Sequence, residues 1–538
     1  MTAESASEVI QAPTRGGPSA LLMSDRQGFD RRWYAPHLAA VYVPTALDQV
    51  APCVEAALCA FGRDVKVASG RHCYEDFVYN GGARAVIDMS ALNQVGDDTA
   101  RKAFFVDAGC ENWTVYRTLL NGYGKTLPAG SCYSVGAGGH ITGGGYGLLS
   151  RLHGLTIDHL SAVDIVTWDA ASRQARLRHV SEASSDSAER DLFWALCGAG
   201  CGNFGVIARY YFADLPDAPD HASLWTLAWN WTDLDEDSFA ALLREYADIV
   251  ATMPETDFAL LKLNHVAAEQ IGLIYQSVSS PGASAAQHRL RVADTVRELG
   301  LRLNRIAPSS PLRRPLGGHP GMMSTLPSSD SVNHLTYLEA LQTLNGSGPN
   351  QFGKYKSAYM KKGFPEKQIG AIYHWLHIVP EGLAAADMAQ TLLQVDSYGG
   401  AINRVSPTAT CVPQRSSILK LQYQTYWNND CPAGGPPSPE NEAQAQAHLD
   451  WMEGFYTAVY ADSGGTPDPA RDPSGTVDGC YFNYPDVDLG SHACGDVDDA
   501  LWLYFLENFR DAPRNLVAIK RHWDPMNYFH HAQSLPVF

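Results

Sequence analysis

Residues 130–147, GSCYSVGAGGHITGGGYG, constrain this chain more than any other stretch, because eight of the eighteen are glycine. Glycine loses more conformational freedom on folding than any other residue. A run this dense therefore points to backbone in conformations closed to other residues, or to backbone pressed against something flat or anionic. The run also carries Cys132, His140 and Tyr146. Upstream, VASGRHCYEDF (67–77) sets His72 behind small residues in the same way. Together the two loops predict a large cofactor cradled by main chain and gripped by two reactive side chains.

Around these loops the texture is α+β. AVYVP, LDQVAPCVEAALCAFG and VKVAS read as strand, helix, strand, and WTVYRTLLNGYG as a helix stopped by glycine. Further strands, through NFGVIARYYFADL, carry this pattern to about residue 215. From 216 to 475 long helical repeats such as SFAALLREYADIVATM alternate with strands such as FALLKLNHV, QIGLIYQSV and ILKLQYQTYW. Helices over one face of an antiparallel sheet, with a ligand over the other, fit that block. A chain of 538 residues is long enough for two or three such units. The tail, 476–538, is too aromatic for a disordered extension, whereas residues 1–35 read as a flexible leader and an entry segment.

A net charge of −18 excludes a general nucleic-acid binder and disfavours anionic membranes. No run of 18 apolar residues predicts a membrane span. The first twenty residues lack a continuous apolar core, so a cytoplasmic location is expected. Eleven cysteines without a CxxC pair fit buried thiols in a reducing compartment.

GAGGHITGGGYG and GAGCGNFG both look like dinucleotide fingerprints. A Rossmann fingerprint needs a preceding strand, a helix opening on its third glycine and an acidic residue about 20 positions on. The first segment instead follows a loop, and its glycines continue too long. Zinc held by His72, Cys73, Cys132 and His140 is a competing reading, but the spacing matches no familiar structural pattern, and no metal is expected. YFNYPD (481–486) and Tyr398 in DSYGG offer tyrosines for a base. A phenol titrates near 10, so a neighbouring donor or cation must stabilise the phenolate. On ILKLQYQTYW, Lys420, Gln422 and Gln424 share one strand face.

With these segments in hand, the chain resembles the berberine-bridge-like branch of the vanillyl-alcohol-oxidase flavoproteins, from about residue 36 to the end. SGRHCYEDF, CYSVGAGGHITGGGYGLLSRLHGLTIDHL, DLFWALCGAGCGNFGVI, NYPDVDL and WDPMNYFHHAQSLP carry the resemblance, in the family's order. KSAYMKKGF and SYGGAINRVSPTATCVPQR narrow it to actinobacterial tailoring oxidases of antibiotic biosynthesis. The resemblance implies a PCMH-type FAD-binding domain of two α/β subdomains (36–215), a substrate domain with a helix-covered antiparallel sheet (216–475), and a C-terminal segment returning to the first (476–538).

It also implies FAD bound covalently through His72 at the 8α position and Cys132 at C6. Ser69, Gly70, Arg71 and Cys73 would flank the first link. Val135, Gly136, Gly138, Gly139, His140, Gly143, Gly144 and Gly145 would line the second, Val135 at the position gating oxygen. Gly205, Val206 and Ile207 would run along the adenine side, with Asn483 and Asn527 from the C-terminal motifs. Arg71 stands where the family's loop commonly has a second glycine.

Tyr484 would be the base facing flavin N5, Tyr398 its hydrogen-bonding partner and Tyr146 a pocket tyrosine. Lys420, Gln422 and Gln424 would line the substrate site. The implied reaction takes a carbinol of a sugar or natural product to a carbonyl, with dioxygen reduced to hydrogen peroxide. Oxidative cyclisation and carbon–nitrogen or carbon–carbon oxidation are alternatives on the same scaffold. A nicotinamide-dependent dehydrogenase and a non-catalytic flavin binder are the readings outside it.

Overall fold

The first strand, helix and strand form where periodicity places them. In Leu47–Phe61 the buried residues Val50, Cys53, Val54, Ala57 and Leu58 recur at helical spacing, and Gly62 ends the helix. Asn112–Tyr123 stops at Gly124, whose left-handed conformation lets its N–H reach Leu119 O and Leu120 O. The computed structural model describes residues 14–16, 21–313, 332–427, 438–489 and 497–538.

Three sheets organise these elements. In the first, Thr14–Gly16 pairs antiparallel with Ala40–Tyr42, and Ala40–Tyr42, Ala85–Asp88 and Val65–Ala68 run parallel. The second is antiparallel, ordered Val95–Asp98, Ala103–Asp107, Val206–Phe212, Ala162–Asp169, Gln174–Val180. The third has seven antiparallel strands: Asn333–Thr336, His221–Asn230, Gln270–Val278, Asp257–Asn264, Leu392–Ser397, Leu419–Trp427 and Phe352–Met360. This mixed arrangement agrees with the α+β expectation and differs from a doubly wound nucleotide fold.

Alternation along Leu419–Trp427 separates the two faces of the large sheet. Tyr423 packs on Phe455 and Tyr456 of the helix Pro439–Val459. Tyr456 also donates to Ser357 O at 2.7 Å, and Tyr246 of the helix Glu236–Thr252 donates to Val395 O at 2.7 Å. Helices thus cover one face, and the other is left for the interior of the molecule. Among the described residues no helix is long and apolar enough to cross a membrane.

A buried cluster of charges ties distant parts of the chain together. Lys354 Nζ contacts Glu75 Oε1 at 2.7 Å, Asp486 Oδ1 at 2.7 Å and Asp488 Oδ2 at 2.8 Å. Lys356 Nζ contacts Asp486 Oδ2 at 2.7 Å and Glu453 Oε2 at 2.8 Å. Burial alone would raise the Asp486 carboxyl, yet the two ammonium groups hold it well below the usual carboxylate range. One strand of the large sheet therefore holds both the loop after His72 and the loop after Tyr484.

Arg71 takes the left-handed backbone (φ 61°) that a glycine would adopt without strain. Its guanidinium pairs with the buried Asp88, and its carbonyl accepts Phe29 N–H at 2.8 Å. The ion pair offsets the strained backbone. Arg71→Ala removes the pair and keeps the strain, whereas Arg71→Gly removes both. Thermal melts should therefore rank wild type above Arg71→Gly, and Arg71→Gly above Arg71→Ala by about 1 kcal/mol.

Candidate active site

The two glycine-bearing loops meet main chain to main chain. A Cβ built on Gly70 would lie 2.1 Å from Gly136 N, and one on Gly136 would lie 2.1 Å from Gly70 N. No other residue fits at either place. The neighbouring groups complete the seam: Ser69 Oγ donates to Ala108 O at 2.6 Å, and Gly138 N–H donates to the same carbonyl at 2.9 Å. His72 and Cys132 consequently share the wall of one cavity. Its space open to the centre of a water molecule is ≈ 360 Å³. One water needs about 10–15 Å³ by that measure, so the cavity suits a ligand of tens of atoms.

Most of the expected cofactor residues lie on this wall: Ser69, Gly70, Arg71, Cys73, Val135, Gly136, Gly138, Gly139, His140, Gly205, Ile207 and Asn483. Others stand behind it. Val206 alternates away from Gly205 and Ile207 and packs into the core with Val166 and Phe529. Gly143 lies against the Asn483 amide, whose Oδ1 would be 1.9 Å from an added Cβ. Gly144 and Gly145 carry the turn that leads out of the run. Asn527 is a left-handed turn residue (φ 53°) whose N–H donates to Asp524 O at 2.9 Å.

The titratable groups divide by environment. Burial lowers His140 to about 4, helped by the Lys420 ammonium. Neutral His140 accepts Gly130 N–H at Nε2 (2.8 Å), closing the glycine run on itself. Burial pushes the Cys132 thiol up, with the Lys262 ammonium acting against it. Cys73, beside His72, is pushed up to about 12 by burial. Among the described residues no cluster of His, Cys, Asp and Glu is arranged to hold a metal ion.

A group of aromatic rings, Tyr146 of the glycine run among them, surrounds one cation. Lys420 Nζ lies 4.0 Å from the Tyr484 ring centroid, 4.6 Å from Tyr146 and 5.1 Å from Tyr481. Its carboxylate partner is Asp396, at 3.4 Å. Burial lowers Lys420 to about 8, and Asp396 limits the fall. Burial raises Tyr484 well above 10, while a cation against a ring face favours its ionised form.

The placement of Tyr398 differs from expectation. It is fully buried, packs on Tyr146 (5.4 Å) and Tyr359 (5.0 Å), and makes no hydrogen bond to Tyr484. The group in contact with Tyr484 is Lys420 instead. Tyr146 lines the cavity and donates to Ser397 O at 2.7 Å.

Gln422 and Gln424 line the cavity from the large sheet, with Lys420 behind them under the rings. The adjacent strand adds Gln394 and Asp396, in register with Gln422 and Lys420. These form a polar network: Gln394 Nε2 donates to Asp396 Oδ1 at 2.8 Å, Gln424 Nε2 to Gln422 Oε1 at 2.9 Å and, longer, to Gln394 Oε1 at 3.5 Å, and Tyr426 Oη to Gln424 Oε1 at 2.9 Å. Gln394 and Asp396 were missed in the sequence, although the alternation in LLQVDS carries the same signal as LKLQYQ.

The residues present fit FAD. Imidazole and thiol stand on one wall, within reach of a single flat ring system. A Cβ on Gly139, also on the wall, would meet nothing within 4 Å, so bare backbone faces the space. The buried Nδ1 of His530, a third lining residue, has no hydrogen-bond partner among the described residues.

Residues 38–174 match the family model described as FAD binding domain, and 480–536 match berberine and berberine like. The chain is 38% identical to hexose oxidase of Chondrus crispus, covering 98% of this chain and 95% of that protein. It is 32% identical to aclacinomycin-N/aclacinomycin-A oxidase of Streptomyces galilaeus, covering 92% and 84%. Among solved structures, CrmK, a flavoenzyme involved in shunt product recycling in caerulomycin biosynthesis, superposes with a TM-score of 0.81 at 30% identity, covering 98% and 99%. With a cavity that fits FAD and relatives matched over nearly its whole length, this chain belongs to the berberine-bridge-like family of FAD-dependent oxidoreductases.

Proposed function

We propose that this protein oxidises a carbinol of a sugar to a carbonyl, with FAD tethered through His72 at 8α and Cys132 at C6. The observation that carries this reading is Tyr484, seated on the Lys420 ammonium in the cavity that His72 and Cys132 share. Bound FAD supplies the acceptor for the substrate's hydride and passes the electrons to dioxygen, which leaves as hydrogen peroxide. Val135, on the wall beside the Cys132 loop, is small enough to leave dioxygen a path.

Tyr484 takes the hydroxyl proton. Burial and the Asp396 carboxylate disfavour its phenolate, and the Lys420 ammonium, 4.0 Å from the ring centroid, works in the opposite direction. Lys420 is charged below about 8, so at neutral pH its ammonium stands under the Tyr484 ring and favours loss of the phenol proton. Tyr146 and Tyr481 hold that cation in place through their ring faces.

The network of Gln394, Gln422, Gln424 and Asp396 presents amide and carboxylate groups at alternate positions of two strands. Such a face pairs with the hydroxyls of a sugar ring, whereas an apolar polycycle would leave its polar groups unpaired. The name of the Chondrus crispus relative, hexose oxidase, supports the same substrate class.

Three outcomes follow. The denatured wild-type chain should gain the mass of one FAD, located on the peptides holding residues 72 and 132. His72→Ala and Cys132→Ala should each retain it, and the double variant should lose it. Tyr484→Phe should lower kcat by about 10²–10⁴ with flavin content unchanged, measured as peroxide release from hexoses and oligosaccharides. Peroxide from polyketide alcohols alone would reassign the substrate. Lys420 loses its proton as pH rises through about 8, so kcat should fall there. Asp396→Asn removes the carboxylate that keeps Lys420 protonated, and should move that fall to lower pH.

A further inference from the structure

We infer that Ser134, backed by Ser347, is the positioning residue that prepares His72 for its bond to the flavin. The inference rests on the two-point attachment proposed above. His72 is fixed on two sides. Its ring stacks on Phe29, with centroids 4.6 Å apart and planes at 23°. Its Nε2 lies 2.8 Å from Ser134 Oγ, two residues beyond Cys132.

Ser134 is itself fixed from the large-sheet side of the molecule. Its Oγ lies 3.0 Å from Ser347 Oγ, and its N–H donates to that same oxygen at 3.1 Å. Asn345 Oδ1 accepts Ser347 N–H at 3.0 Å and Tyr133 N–H at 3.1 Å. Ser347 Oγ accepts Ser134 N–H and has a second lone pair for the Ser134 hydroxyl. In the arrangement this inference assigns, that hydroxyl donates to Ser347 and Ser134 Oγ accepts Nε2–H, so the direction runs from His72 to Ser134 to Ser347.

A neutral imidazole carries one N–H and one lone pair. Holding the proton at Nε2 sets the lone pair at Nδ1. The new bond joins Nδ1 to the 8α carbon, while the imidazole N–H and one methyl C–H bond break. The Nε2 proton leaves along Ser134 and Ser347. Two electrons pass to the isoalloxazine and, with two protons, on to dioxygen, giving hydrogen peroxide. Ser134 touches none of the carbon chemistry and acts only through the imidazole.

The test uses the Cys132→Ala protein, in which His72 is the remaining link, and reads covalent FAD by intact mass after denaturation. Adding Ser134→Ala should slow attachment roughly tenfold, the size of one lost hydrogen bond. FAD released on denaturation and the melting temperature should show that the fold and the cavity persist. Ser134→Thr should restore attachment, and Ser347→Ala should impair it in the same direction. Full attachment in Cys132→Ala/Ser134→Ala would overturn the inference. Failure of Cys132→Ala alone to carry FAD would overturn the two-point reading and the inference with it.

Discussion

The site depends on a close approach of two stretches of main chain at Gly70 and Gly136. A methyl group on either would sit inside the other's backbone. Only with both side chains absent do the loops close, and only closed do they bring His72 and Cys132 to one wall. Dense glycine here is therefore less a bed for the ligand than a seam between two parts of the protein. Gly139 is the residue whose bare backbone faces the cavity, while Gly143 and its neighbours pack the wall from behind.

Electrostatics across the cavity follows from one buried ion pair, Lys420 and Asp396. Lys420 is surrounded by ring faces and one carboxylate. Rings stabilise a cation without competing for its proton, so the ammonium lies against the Tyr484 ring face while Asp396, at 3.4 Å, takes its hydrogen bond. The neighbouring amides serve as neutral hydrogen-bonding groups, so the field at the base is set by the Lys420 ammonium and the Asp396 carboxylate.

Much of this was legible in the sequence. Strand and helix periodicity placed the early elements and the large antiparallel sheet, and the two loops carried His72 and Cys132 in plain view. Lys420, Gln422 and Gln424 share a face because β side chains alternate, and the structure places them together. What sequence left out depends on pairing. That Asp396 stands beside Lys420 is a fact of strand register between distant segments. The resemblance implied Tyr398 as the partner of Tyr484, but Tyr398 packs against Tyr146, and Lys420 occupies the place beneath the Tyr484 ring. That Arg71 takes a glycine's place was visible, but its compensation by Asp88 was hidden, since that carboxylate comes from a separate strand.

The buried lysines of the strand Phe352–Met360 also set an order of events. Lys354 holds Glu75, three residues past His72, and Asp486, two past Tyr484. Between those acidic residues lies most of the polypeptide. A chain leaving the ribosome presents its imidazole and thiol long before the last anchoring carboxylate has been made. The clamp on Lys354 therefore closes only once Asp486 has been made, and the loop after His72 is held to the loop after Tyr484 well after the imidazole itself has emerged.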